Sequence, residues 1–444
     1  MPNETKAAEG RGGSLADRLL AVWDHLGLEA AHVATQMPGS LAGFAAAHPA
    51  RIAGLLFHEP VGCEPAAFAA VASRLTVLAG DGGTSSQIAG VVAAALPESR
   101  RRTLEGYAQP GWADHVRDRT DEVVDALRDL PGTASPPARA PESGAHAGIS
   151  YEIVGSGPAL VLFPLFLAPT QWDAALPRLA DHFTVIRLGG AHLGGVALLE
   201  DRASSPSYRG MFTTLLDIIA PAPTDHVLDV GAGSGALARI AARRAAQGAG
   251  HVTACDINAY MVKEGAGLAE PAGLSDRITF READAEHLPF ADAGFDHAYS
   301  VTVLEECDAD RALSELFRVV KPGGRVGVIV RAIDGRHQFS ADLPDAIRAK
   351  VEVVPPMVSP GGAADASLYR RMRAAGFRDL VPCPAMPSFE NGSGFWRFIV
   401  GRLEPRLSAE ELAVFRVALA EAEAAGTLFV TFPHHGIVGT KPGP

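Results

Sequence analysis

Residues 225–235 read DHVLDVGAGSG, and this stretch decides the fold of the second half of the chain. Val227, Leu228 and Val230 make a short apolar run of strand length. It breaks into Gly231-Ala232-Gly233-Ser234-Gly235 before an apolar helix that begins at Ala236. A glycine-rich turn between strand and helix lets backbone N–H groups come close to a ligand. Alone, the turn also satisfies the dinucleotide spacing G-x-G-x-x-G/A through Gly231, Gly233 and Ala236. The residues further on decide between readings. A second strand, 251–254, ends at Asp256, 21 residues past Gly235, where a carboxylate can accept both hydroxyls of a ribose. A third strand, 278–281, runs into Asp284-Ala285-Glu286-His287-Leu288-Pro289-Phe290. Residues 295–300 then lead into VTVLEE, and 319–325 (VVKPGGR) turn into the strand VGVIV.

This ordered set resembles the class I S-adenosylmethionine-dependent methyltransferases across residues 207–444. VLDVGAGSG is similar to the family's first motif, DIN to its ribose motif, and DAEHLPF to its adenine motif. FDHAYSVTVLEE is similar to the fourth strand and RVVKPGGRV to the turn before the fifth. A nicotinamide enzyme is not expected to carry DAEHLPF or KPGG at these places. The resemblance implies a Rossmann-like domain with S-adenosyl-L-methionine as cofactor. It places Gly231, Ala232, Gly233 and Gly235 under the methionine half and Asp229 near its amino group. Asp256 would hold the ribose, Ile257 and Met261 would pack on the adenine, and Asp284 with the Ala285 N–H would read the adenine edge. Backbone of Ser300 and Val301 would line the donor methyl. Tyr208 and Arg209 lie about one helix upstream, where the family often binds the cofactor carboxylate; for Arg209 a solvated surface position is the alternative.

The resemblance implies an already activated sulfonium donor, so holding the acceptor in line with the methyl supplies much of the acceleration. A general base is needed only if the acceptor must lose a proton. The family often reads L-E-H after the fourth strand, and here Leu304-Glu305-Glu306 stands there. Glu306 is one catalytic candidate, with a solvent-facing residue as the alternative. His434 is the other, beside His435 in FVTFPHHGIVGTKP; alternation turns only one of the two toward a cleft. No pair has metal-ligand spacing with a third partner, so no metal is expected. Specificity on a fixed scaffold lives in loops, and two insertions stand out, 333–366 and 387–426. Met357, Phe389, Phe395, Trp396 and Phe398 in them would line an acceptor pocket or pack on the first half of the chain.

The first half reads differently. Residues 131–147, PGTASPPARAPESGAHA, hold four prolines and almost nothing apolar, which marks a linker. A second break falls at Ser204-Ser205-Pro206. Ser14 is an N-cap candidate with Asp17 three residues on, followed by a helical face of Leu15, Leu19, Val22 and Leu26 that stops at Gly27. Strands are expected at 31–34, 52–57, 75–79, 150–154, 159–163 and 184–188, and helices at 41–47 and 172–180. SYEIVGSGPALVLFP…QWDAALPRLADHFTVIRLG resembles the N-terminal strands of the α/β-hydrolases, while LADRLLAVWDHLGLEAAHVATQMPGS resembles the helix, strand and nucleophile elbow that normally follow them. A circular permutation would explain that inverted order, and chain ends that lie close on a surface make it feasible. The elbow needs G-x-S-x-G; here Ala34-Thr35-Gln36-Met37-Pro38 stands there, and an amide is no nucleophile. Asp114, His115, Ser40 and Ser85 leave a relocated triad open. The main reading is an inactive hydrolase-like scaffold.

The expected fold class is α/β, with two doubly wound domains at 1–200 and 207–444. A chain of 444 residues is too long for one ordinary domain. Its 39 Lys+Arg against 51 Asp+Glu give a net charge of -12, which argues against nucleic acid as partner, with only Arg100–Arg102 running together. No apolar run has the length of a membrane span, and four scattered cysteines fit a reducing cytoplasm. The expected partner is a small-molecule acceptor, with a second copy or a protein partner recruited through the first domain. A non-methylating reaction on the same cofactor, and a cofactor-binding scaffold, are the rival functions.

Overall fold

The computed structural model describes residues 13–109, 111–137, 143–245, 250–354, 358–391 and 393–443. It divides into two compact units, Met1–Ala197 with Phe398–Pro405, and Leu198–Arg397 with Arg406–Pro444. The division therefore falls inside the helix Gly194–Ser204 and not at the polar break 204–206. Ser205 instead caps the next helix, Pro206–Ile219, accepting from the Tyr208 N–H at 3.4 Å. Ser followed by Pro is a helix start as readily as a linker. The 387–426 insertion is also split, since Phe398–Pro405 belongs to the first unit.

In the first unit the helix Leu15–Leu26 opens on a capping box: Ser14 Oγ accepts from the Asp17 N–H at 3.2 Å, and the Ser14 N–H donates back to Asp17 at 2.8 Å. Gly27 ends it at φ 65°, a conformation glycine adopts without strain. The strands are β1 (Ala31–Thr35), β2 (Ile52–His58), β3 (Leu75–Gly80), β4 (Arg100–Leu104), β5 (Gly144–His146), β6 (Ile149–Gly155), β7 (Ala159–Leu162) and β8 (Thr184–Gly189). They form one sheet in the order β4-β3-β2-β1-β7-β8-β6-β5. β1 pairs in parallel with β2 and also with β7, so strands from either side of the proline-rich stretch are neighbours in mid-sheet. Only the β6 pairings, to β8 and to β5, are antiparallel. Both faces are covered: Val33 and Val161 enter one core with Trp23, Phe44 and Phe68, while Ala34 and Leu160 enter another with Trp172 and Leu127. That is the burial of a central parallel sheet.

One expectation needs correction here. Residues 131–137 and 143–147 are not a free linker. The Ser135 N–H donates to Ala30 O at 3.2 Å, the Ala159 N–H donates to Ser135 O at 3.0 Å, and β5 completes the sheet edge. Residues 138–142 lie outside the described ones. Proline and glycine content forbids a helix interior but leaves docking of an extended chain undetermined. The Arg100–Arg102 run is part of β4, a strand at the opposite edge, where charge discourages pairing with another chain.

In the second unit the strands are β9 (His226–Val230), β10 (His251–Asp256), β11 (Ile278–Glu282), β12 (His297–Val301), β13 (Arg325–Arg331), β14 (Gln338–Phe339), β15 (Arg378–Pro382), β16 (Ser388–Glu390), β17 (Phe429–Thr431) and β18 (His434–Thr440). The main sheet runs β11-β10-β9-β12-β13-β18-β15, parallel from β11 to β13 and antiparallel where β18 joins β13 and β15. Adjacency changes direction between β9 and β12, so the strand ends there open a crevice, the usual ligand position in a doubly wound sheet. The stretch FVTFPHHGIVGTKP divides at Pro433, and β17 leaves for a small sheet with β14 and β16. The 387–426 insertion supplies β16, the helix Gly394–Leu403, whose first four residues fall in this unit, and the helix Ala409–Ala424, which opens on a second capping box, Ser408 with Glu411. Met357 lies outside the described residues. Among the described residues no helix is long and apolar enough to cross a membrane.

Candidate functional site

The turn after β9 is held open by three glycines in the left-handed region, Gly231 at φ 74°, Gly233 at 54° and Gly235 at 73°. A Cβ at Gly231 would lie 2.2 Å from Val303, and one at Gly235 would lie 2.6 Å from Phe280. Side chains are thus excluded by backbone conformation and by space, which leaves a cradle of bare peptide with Ala232 in its middle. The cradle is pinned from outside. Glu200 accepts from the Ser234 hydroxyl at 2.5 Å and binds Arg239, which in turn donates to Ser234 O at 2.8 Å.

Asp229 is buried in β9 and accepts from the Tyr299 hydroxyl at 3.1 Å. Burial pushes its carboxyl up to about 8, the Tyr299 bond opposes this, and the nearby Asp256 adds to it. Asp256 ends β10. One of its oxygens accepts from the Gly233 N–H at 2.8 Å and the other from the Asn258 N–H at 2.9 Å. Burial raises this carboxyl too, against those two bonds. Each carboxylate oxygen keeps a further lone pair, so Asp256 shapes the turn and can still accept a diol. Beside it Ile257 is 68% exposed, a large apolar side chain left mostly uncovered by the described residues, whereas Met261 is buried. Asp284 uses one oxygen on the Glu286 N–H at 2.8 Å, and Ala285 is half-buried next to it.

Ser300 and Val301 are buried at the end of β12, with the Ser300 hydroxyl donating to Val230 O at 2.9 Å. Thr302 follows at φ 58°. For a β-branched residue that conformation is strained by about 1–3 kcal/mol, and such strain clusters at ligand sites. Tyr208 is buried, and its hydroxyl lies beside Thr302 without a well-formed hydrogen bond. Arg209, one residue further round the same helix, is exposed and does not accompany it; the solvated alternative is where the structure puts it. Arg202 accompanies Tyr208 instead, its guanidinium carbon 5.0 Å from the ring centroid. Sequence reading missed Arg202, Glu200, Tyr299 and Thr302. Only the order of residues 199–208 ahead of the first strand pointed near two of them.

The catalytic candidates stand at the ends of β12, β13 and β18. Arg331 binds Glu305 at 3.2 Å and Glu306 at 3.3 Å, and its own N–H donates to Glu305 at 2.6 Å. Glu305 is fully buried, while the Glu306 side chain is 34% exposed. Burial raises the Glu306 carboxyl above its usual range, with Arg331 and Arg202 pulling it back. His434 donates from Nδ1 to Phe432 O at 2.8 Å, which leaves Nε2 as the acceptor nitrogen. Burial drives this imidazole down to about 3, so it is neutral and weakly basic. His435 faces the other way, to Asp334 at 2.8 Å and Tyr369 at 3.1 Å. Phe395 packs on Phe389 at 4.4 Å between centroids, within reach of this cluster through Arg202. Trp396 turns away onto Phe339 at 6.0 Å and Phe398 belongs to the first unit, so neither joins Phe395 there.

Residues 228–328 match the family model described as methyltransferase domain. The ubiquinone/menaquinone biosynthesis C-methyltransferase UbiE of Bartonella tribocorum is 39% identical over 131 residues, which are 29% of this chain and 50% of that protein. UbiE of Brucella anthropi is 40% identical over 133 residues, 29% of this chain and 49% of that protein. The chain thus spans about half the length of these curated relatives. Among solved structures, the [4+2]-cyclase SpnF is 24% identical with a TM-score of 0.33, covering 53% of this chain and 82% of that one. The YcgJ protein of Bacillus subtilis is 18% identical with a TM-score of 0.37, covering 53% and 100%. Residues 228–328 of the second unit thus match a methyltransferase domain, and S-adenosyl-L-methionine is the cofactor that this match supports.

Proposed function

We propose that the second unit transfers a methyl group from S-adenosyl-L-methionine to a small organic acceptor, a metabolite or biosynthetic intermediate. The observation that carries the reading is the crevice at the ends of β9, β10 and β12. There a side-chain-free glycine cradle, a diol-accepting Asp256 and an uncovered Ile257 adjoin. When bound, the cofactor supplies an electrophilic methyl on a sulfonium. Asp256 accepts the ribose hydroxyls, Ile257 covers one face of the adenine, and Asp284 with the Ala285 N–H reads its edge. The peptides of Ser300 to Thr302 wall the place where the acceptor meets the donor. Glu306 takes a proton from the acceptor: it stands at the end of β12 with its carboxyl raised above the usual range by desolvation and held by Arg331. His434 holds position and does not serve as the base, because an imidazole lowered to about 3 gains little by accepting a proton.

The first unit is read as a permuted, inactive α/β-hydrolase-like scaffold. The strand order supports it, with β7 inserted beside β1. So does Gln36, which stands where that family has its nucleophile. Its amide donates to Gly111 O at 2.8 Å, and its oxygen accepts from the Phe166 N–H at 2.7 Å. A side chain bonded at both ends is a structural tie. The test is calorimetry with S-adenosylmethionine, followed by mass spectrometry of a metabolite extract incubated with it. Submicromolar to micromolar binding and a product 14 mass units heavier are expected; binding without any such product would refute methyl transfer.

A further inference from the structure

Three buried polar atoms near the end of β12 have no hydrogen-bond partner among the described residues: Nε of Arg202, the hydroxyl of Tyr208 and Oε2 of Glu305. Folded chains leave few such groups unpaired, and each asks for an explanation. For Arg202 the fold itself offers none. Its guanidinium lies over two rings, with the carbon 5.0 Å from the centroid of Tyr208 and 6.0 Å from that of Phe395. Stacking of this kind uses the flat faces of the cation and leaves its N–H edge free. Arg331, in the same cluster, is by contrast in contact with both Glu305 and Glu306. The charge of Arg202 acts on Tyr208, Glu306 and His434, which sets it at the ends of β12 and β18. Phe389 and Phe395 stand beside it as an apolar wall.

We propose that Arg202 recognises a carboxylate on the acceptor, taking it on the free edge of the guanidinium with the Tyr208 hydroxyl as a second donor and Phe395 against the acceptor's apolar body. A planar fork of donors matches a carboxylate in two parallel bonds. A guanidinium held by two rings is preorganised, so little side-chain freedom is lost on binding. The inference rests on the methyltransferase reading, because that reading makes this end of the crevice the acceptor side.

The test uses the full chain loaded with S-adenosylhomocysteine, titrated by calorimetry with benzoate, phenyl phosphate and benzamide. Benzoate is expected to bind at least tenfold more tightly than its uncharged isostere benzamide. Arg202→Gln should abolish that preference while leaving the Kd for S-adenosylhomocysteine within twofold. Arg202→Lys, which keeps the charge without the fork, should retain only part of it. Equal binding of benzoate and benzamide to the wild type overturns the proposal, and so does a tenfold preference for phenyl phosphate over benzoate. A tenfold loss of S-adenosylhomocysteine affinity in Arg202→Gln with the benzoate preference intact also overturns it, and assigns the guanidinium to the cofactor's own carboxylate. If Arg202→Gln fails to fold, the wild-type comparison and Arg202→Lys decide. Absence of S-adenosylhomocysteine binding to the wild type strikes at the methyltransferase reading instead. The comparison of benzoate with benzamide on the unloaded chain then still reads Arg202.

Discussion

Replacing Gly231 by alanine introduces one methyl group, and the structure specifies what it meets. The new Cβ would lie 2.2 Å from Cγ2 of Val303 and 2.8 Å from Cγ1, where carbon atoms in contact sit about 3.5–4.0 Å apart. The residue also stays at φ 74°, which costs an L side chain about 1–2 kcal/mol. Overpacking a site that yields only partly adds about 1–3 kcal/mol. The total is about 2–5 kcal/mol, a large part of a domain's stability. Relief through Val303 would disturb the Thr302 N–H to Ile329 O bond, so cofactor affinity should fall as well. The assay is urea denaturation with and without S-adenosylhomocysteine, reading the transition that the ligand shifts, because a chain of two units need not unfold in one step. Val303→Ala removes both γ carbons of the clash. Gly231→Ala combined with Val303→Ala should therefore recover about 1–3 kcal/mol relative to the sum of the single changes, leaving behind the backbone strain and a tight 3.0 Å contact with Cβ of residue 303. A cost below about 1 kcal/mol for Gly231→Ala, or strict additivity of the pair, would refute the packing account of the cradle.

Asp256→Ala should weaken S-adenosylmethionine binding at least tenfold by calorimetry, since it removes a charged acceptor worth about 1.5–3 kcal/mol per hydrogen bond and frees the Gly233 N–H; unchanged affinity would remove the ribose assignment. The Asp229 carboxyl is raised to about 8, so from about pH 4 upward the unfolded chain ionises there while the folded one stays protonated, and stability falls up to about pH 8 by at most about 1.4 kcal/mol per pH unit. Asp229→Asn should flatten that decline in denaturation curves taken between pH 4 and 8, and an unaltered profile would mean that Asp229 is ionised in the fold. Gln36→Ala should leave methyl transfer unchanged, and a fluorophosphonate should label no serine in residues 14–197; stoichiometric labelling would show a working hydrolase. Trp396→Ala should cost about 3–5 kcal/mol, because Trp396 is buried on Phe339 of the small sheet; a selective rise in acceptor KM at full stability would return Trp396 to the acceptor pocket.

Much of the cofactor side is legible in the sequence because it is local. In DHVLDVGAGSG the strand, the turn and the helix start are contiguous, and positive φ at three positions admits little but glycine. The spacing to Asp256 is set by one helix and one strand, so spacing alone puts the carboxylate at the neighbouring strand end. The order of local motifs likewise points to β7 sharing a sheet with β1 and β2, and the structure contains that sheet. Proline and glycine content does not reveal that 131–137 dock on the sheet, since docking depends on which backbone groups of Ala30 and Ala159 remain open after the strands assemble.

What only the tertiary structure decided is burial and the meeting of side chains far apart in the chain. Arg202 and Arg209 are both arginines beside Tyr208 in sequence. One stacks on its ring while the other faces out, and the packing of two successive helices on the sheet selects between them. Glu306 and His434 can be named from sequence as catalytic candidates, but the upward shift of one and the downward shift of the other follow from desolvation and from Arg331 and Arg202, partners between 25 and 232 residues away. Trp396 and Phe395 are adjacent and equally aromatic, yet one joins the small sheet and the other the ring under Arg202. A sequence states which groups exist and which local turns they permit. Solvent exclusion and proximity, which set basicity and recognition, arise only when the sheet closes around them.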